Sequence, residues 1–142
     1  MTVRPGRKFL PVTLAEEALH TAGAPDASFE QRDVEDGGWF ADWDGTVAGS
    51  DVYIGLMGGS PDAESVRVLL DDWTFDEVAT GDVGEFLARV FSGQAALSRQ
   101  RSFLFSSSHL LEVRVGASSY SAGRDVRPDD ELVPWERALT VG

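Results

Sequence analysis

The chain contains no cysteine in its 142 residues. That excludes a disulfide framework, a thiolate zinc site and a cysteine nucleophile, and it suits a reducing compartment. Lysine is almost as scarce. Lys8 is the only one, and every other strong base is arginine. With the abundant Ala, Gly, Val and Asp, this usage reads as the coding bias of a GC-rich bacterial genome. Long apolar runs are missing too. Arg4, Arg7 and Lys8 are followed only by Phe9, Leu10, Pro11 and Val12 before Glu16 and Glu17 intervene. A secretory leader needs a longer apolar stretch, and a bilayer-spanning helix needs about 20 apolar residues. The expectation is a cytoplasmic protein with no membrane partner.

Nucleotide-binding fingerprints are also absent. Neither Gly-x-x-x-x-Gly-Lys-Ser/Thr nor Gly-x-Gly-x-x-Gly occurs, so no phosphate-cradling loop and no cofactor is expected.

What the chain has in excess is acid. Its formal net charge is −12. Residues 9–88 hold eighteen acids against Arg32 and Arg67, a net −16. Residues 89–127 reverse the sign, with six arginines against Glu112 and Asp125. Nucleic-acid affinity comes from Lys and Arg neutralising phosphates, so nucleic acid is excluded as a partner. A field of this sign steers basic partners instead, and it also keeps a protein soluble.

Length and composition describe one domain over residues 1–142, with residues 1–8 as a flexible arm. The chain is 42% hydrophobic and 25% charged, ordinary for a globular domain able to build its own core. Helical periodicity marks Leu14 to Ala22, with Thr13 and Glu16 as a capping box and Gly23 and Pro25 as the stop. A second helix follows Asp82 and ends at Gly93. Its Val83, Phe86, Leu87, Val90 and Phe91 keep the i, i+3, i+4, i+7, i+8 stripe. Leu132 to Leu139 suggests a short C-terminal helix, with Pro134 in its first turn.

Strand-forming residues mark Asp51–Met57 and Val66–Leu70, alternation marks Leu111–Val115, and the Gly116-Ala117 turn leads into a partner strand at Ser118–Ala122, with weaker strands at Phe29–Val34 and Trp39–Trp43. Leu97 to Phe105 also alternates, but Arg99 and Arg101 share a phase with Phe103 and Phe105, which predicts a bulge or a strand leaving the core. Strands grouped in runs, with helices between the runs, predict an α+β fold. Its antiparallel sheet has about five or six strands, packed by two main helices.

Few residues carry a chemical signal. His20 lies off the apolar centre of the first helix. His109 follows Ser106-Ser107-Ser108 at an expected turn, but no Gly-x-Ser-x-Gly elbow accompanies it, so it reads as a solvated turn histidine. Asp42-Trp43-Asp44-Gly45 resembles the start of a calcium loop. The glycine comes too early, however, and Tyr53 stands where the bidentate Glu belongs, so no metal site is expected. Arg99, Arg101, Arg114, Arg124 and Arg127 read as cross-strand partners of the chain's own acids.

The remaining cluster is aromatic. On a strand, Trp39 and Trp43 share one face while Phe40 points the other way. Tryptophans set among acids have the composition of a binding hot spot. The partner-binding candidates are therefore Asp33, Glu35, Asp36, Trp39, Asp42, Trp43 and Asp44, in a module that covers a basic protein as an inhibitor, immunity factor or chaperone would. In size and charge the chain resembles small acidic immunity proteins and secretion chaperones, a likeness of bulk properties that carries no residue across. Two alternatives stay open: a cofactor-independent enzyme using carboxylates in a cleft, and a structural protein that forms homo-oligomers.

Overall fold

The computed structural model describes residues 2–3, 8–101, 107–125 and 132–141. It is α+β, with two sheets where the sequence predicts one. Strands β1 (Thr2–Val3), β2 (Glu30–Asp33), β3 (Trp39–Val47), β4 (Ser50–Gly58), β5 (Ser65–Leu70) and β6 (Trp73–Ala79) form an antiparallel sheet in chain order. The second sheet has the order β10-β7-β8-β9, from β7 (Ala96–Arg101), β8 (Ser107–Val115), β9 (Ser118–Asp125) and β10 (Thr140–Val141). Its β10 runs parallel to β7 and the other pairs are antiparallel.

Helices α1 (Leu10–Thr21) and α2 (Val83–Phe91) pack against each other, and α2 also lies on β8. A short α3 (Pro134–Arg137) closes the C-terminal end. In α2 the stripe is realised. Val83, Phe86, Leu87 and Val90 are buried, and Phe91 packs partly buried on the core. Phe86 meets Phe75 edge-on at 4.8 Å and Tyr120 at 5.9 Å, so this helix ties β6 to β9. The Tyr120 hydroxyl accepts the Ala79 N–H at 3.2 Å and donates to Asp82 Oδ2 at 2.6 Å, joining the two sheets at the helix start.

Helix α1 begins earlier than the capping box suggests. Phe9 is the N-cap residue and Pro11 sits in the first turn, where a missing N–H costs nothing. Glu16 caps nothing. It accepts the backbone N–H of Phe29 at 2.7 Å and pairs with Lys8, so it ties the following loop to the helix. The segment expected as a flexible arm contributes Thr2–Val3, which pair with Asp33 and Arg32 on β2.

Strand β6 is one that periodicity alone does not mark. Trp73, Phe75 and Val78 face inward, and the register shift between Val66 and Val68 on β5 breaks the alternation at Asp76-Glu77. The β3–β4 connection is a two-residue hairpin, Ala48-Gly49, with φ of 51° and 82°. Both angles are left-handed, as a primed hairpin turn requires, and Gly49 takes its angle without strain. At the far end of the same hairpin Gly58 allows close approach, since a Cβ there would lie 2.3 Å from the Trp39 Nε1.

Of the remaining expectations, His109 is not in a turn. It sits within β8, opposite Arg99 and Arg124, and is buried. Phe103, Phe105, Ser106 and Arg127 lie outside the described residues. No helix among the described residues is long and apolar enough to cross a membrane.

Candidate protein-binding face

Alternation divides the six-stranded sheet into two chemically different faces. Inward go Trp39, Ala41, Val52, Ile54, Leu56, Val66, Val68, Leu70, Trp73, Phe75 and Val78, all buried. The opposite face carries Phe40, Tyr53 and Leu69, each half-buried, and Met57, which is 37% exposed. Register places them side by side, with Phe40 opposite Met57 and Gly55 between Asp42 and Leu69. The result is an apolar strip across three strands, interrupted by Asp42 and Arg67.

Acids frame this strip. Glu30, Asp44, Asp51, Asp76 and Glu77 are exposed on the same face, and Asp42 is half-buried within it. Among the described residues the face has two bases, and both are engaged. Arg32 pairs with Glu30 at 2.7 Å and with Asp42 at 3.4 Å, and Arg67 pairs with Asp76 at 3.3 Å. The adjacent carboxylates hold the Arg32 guanidinium's pKa above its usual range, the Glu30 hydrogen bond contributing most.

One polar contact organises the centre. The Tyr53 hydroxyl donates to Asp42 Oδ2 at 3.1 Å, while Arg32 occupies Oδ1. Burial, followed by Asp42 and then Asp44, pushes the Tyr53 phenol above 10.0, so it stays protonated at neutral pH.

The sequence-predicted set is divided by the fold. Asp42 and Asp44 lie on the outward face. Trp43 points inward and is half-buried, packing on Phe29 with ring centroids 6.5 Å apart. Trp39 is a core residue at 2% exposure, its indole N–H donating to the Ser60 carbonyl at 2.8 Å, with the Phe9 ring tilted against it at 5.3 Å. It is therefore no surface anchor, because the residue opposite the strip belongs to the core by parity. Asp33 also has inward parity, opposite Trp39, and Glu35 and Asp36 are exposed on a 3₁₀ turn at the tip of the β2–β3 connection. The residues the sequence reading passed over are Phe40, Tyr53, Gly55, Met57 and Leu69. Their signal was present, since outward positions are those that alternate with Trp39, Ala41, Ile54 and Leu56.

Two other features bear on chemistry. A groove of about 350 Å³ between α1 and α2 is lined by Ala18, Ala22, Ala88 and Phe91 among others. The carboxylate lining it is Glu85, which pairs with Arg89 at 3.4 Å, so the groove gathers no converging acids. The second feature is a buried hub at α3. Glu136 Oε2 accepts the Trp73 indole N–H at 2.8 Å and Arg124 Nη2 at 3.2 Å, while Oε1 accepts the Val133 N–H at 2.9 Å. Arg124 lies over the Trp73 ring, 5.1 Å from its centroid. This hub joins α3 to both sheets. Among the described residues no group of three or more His, Asp or Glu side chains is arranged to hold a metal ion.

No family model matches the chain, and no curated protein or solved structure does either.

Proposed function

We propose that the chain is an acidic protein-binding module that covers a basic protein partner, as an inhibitor, immunity factor or chaperone does, and that it docks through the outward face of the six-stranded sheet. The observation that carries this reading is an apolar strip of Phe40, Met57, Leu69 and the Tyr53 ring, framed by Glu30, Asp44, Asp51, Asp76 and Glu77. An apolar centre that sheds water inside a charged rim is the anatomy of a protein interface. The rim speeds encounter with a basic surface, and the strip sets the lifetime of the complex. Glu35 and Asp36 extend the acidic field beyond the β2–β3 turn, and Asp33 lies at its inner margin. Anchoring passes from Trp39 to Phe40 and Met57.

The test is a paired charge reversal. Full-length protein carrying Asp44→Lys, Asp51→Lys and Asp76→Lys is compared with a control carrying Glu17→Lys, Asp26→Lys and Asp62→Lys. Each is used as bait in a native extract, and the recovered partner is then titrated. The reading requires a basic partner whose association slows steeply with salt, is lost with the face variant and survives in the control. An acidic partner, or equal loss in both variants, refutes it.

A further inference from the structure

The outward face contains a more specific feature than its charge. Tyr53 is held at three points. Its N–H donates to Asp71 Oδ1 at 2.9 Å, its carbonyl accepts the Asp71 N–H at 2.9 Å, and its hydroxyl donates to Asp42 Oδ2 at 3.1 Å. Asp71 is itself fixed by the Trp135 indole N–H at 2.8 Å. The hydroxyl reaches Asp42, on the neighbouring strand, by passing over Gly55. A Cβ built on Gly55 would sit 3.3 Å from the Tyr53 Oη and 3.1 Å from Leu69 Cδ1. The ring therefore lies along the sheet, with one face on the backbone and the other turned outward. Directly opposite on β3 is Asp44, exposed and with no ion pair among the described residues.

We propose that the outward ring face of Tyr53, with the Asp44 carboxylate beside it, is the seat for one arginine side chain of the basic partner. This rests on the docking reading above and adds the chemistry of its central contact. A guanidinium is planar, so it stacks on an aromatic face while its edge hydrogen-bonds a carboxylate alongside. A lysine ammonium is a compact, strongly hydrated point charge that matches this geometry poorly. Asp42 holds the ring down and Arg32 occupies its other oxygen, so Asp44 is the carboxylate that receives the partner. The hydroxyl bond to Asp42 fixes the ring and the two Asp71 bonds fix the backbone that carries it, so the seat loses little freedom on binding.

The experiment uses the full chain, isotope-labelled, and two synthetic peptides of one design: acetylated and amidated Gly-Arg repeats, and the same repeats with lysine. Both are titrated by heteronuclear NMR. The arginine peptide is expected to bind more tightly and to shift the amides of Tyr53, Asp44 and Phe40. Tyr53→Leu should weaken arginine-peptide binding about five-fold, the loss expected of one cation–π contact. Tyr53→Phe, which keeps the ring but releases it from Asp42, should bind more weakly than the parent and more tightly than Tyr53→Leu. Gly55→Val acts on the ring from below, and its urea midpoint and amide spectrum are compared with the parent's to establish that it folds. Its side chain lifts the ring and should reproduce the Tyr53→Leu loss. Equal affinity for the two peptides, or indifference to both Tyr53→Leu and Gly55→Val, overturns the arginine seat. If the shifts still map to Phe40, Met57 and Asp44, the docking face survives that failure. Shifts that map elsewhere on the chain overturn both.

Discussion

Replacing Glu136 by glutamine tests whether the buried hub at α3 holds the C-terminal segment to both sheets. Glutamine has the same shape, so packing changes little and the effect isolates the charge. The carboxylate is 4% exposed and accepts from Trp73, Arg124 and Val133. Glutamine keeps one oxygen, which faces Trp73 and Arg124, and turns an NH₂ donor toward the Val133 N–H. The Arg124 side chain, 9% exposed, then loses the Glu136 charge. Removing one partner of a buried ion pair costs about 3–5 kcal/mol, and a donor set against a donor adds to it. We expect a loss near 3 kcal/mol, because the amide oxygen still accepts. At about 3 °C per kcal/mol for a chain of this length, the midpoint should fall by about 10 °C. A thermal melt measures that shift and urea denaturation the free-energy loss, both followed by tryptophan fluorescence with Trp73 and Trp135 as reporters beside the hub. A double-mutant cycle with Arg124→Met should give a coupling of about 1–3 kcal/mol. That coupling should barely change with salt, since burial protects the pair from screening. A single-variant loss below about 1 kcal/mol would refute the hub.

Phe86→Ala removes a fully buried ring in contact with Phe75 and Tyr120, and should cost about 3–5 kcal/mol in chemical denaturation. Gly58→Ala sets a Cβ against the Trp39 indole and should cost about 2 kcal/mol, with a shifted Trp fluorescence maximum. The chain has two tyrosines, and both are held above 10.0, chiefly by burial. The folded state therefore keeps these protons longer than the unfolded chain does. Their stabilisation is full below about pH 10 and is lost as pH rises through the folded values. Urea midpoints should fall on that alkaline limb, and less so in Tyr120→Phe. Calorimetry with Ca²⁺ should show no micromolar binding event, because Asp42 is already shared by Arg32 and Tyr53.

Much of the fold was legible because its signals are local. The α2 stripe, the Gly116-Ala117 turn between β8 and β9, and the alternation of β8 each follow from residues close together in the chain. The same alternation foretold that Phe40 faces away from Trp39. What it left undecided was which face meets the core, because both carry large apolar groups. Strand β6 escaped because its bulge interrupts the period. The start of α1 was misread because Thr13 and Glu16 form a good local cap, whereas Pro11 and Val12 are buried by contacts distant in sequence.

By itself the sequence determined the α+β class, the two main helices and the concentration of acid in residues 9–88, all properties of composition and short-range period. Only the tertiary structure decided that the strands form two sheets, that Trp39 is core while Phe40 and Met57 are surface, and that Glu136 meets Trp73 and Arg124. The physical reason is separation along the chain. Residues 63 apart, as Trp73 and Glu136 are, carry no periodic mark of each other, and their pairing exists only once both sheets have packed.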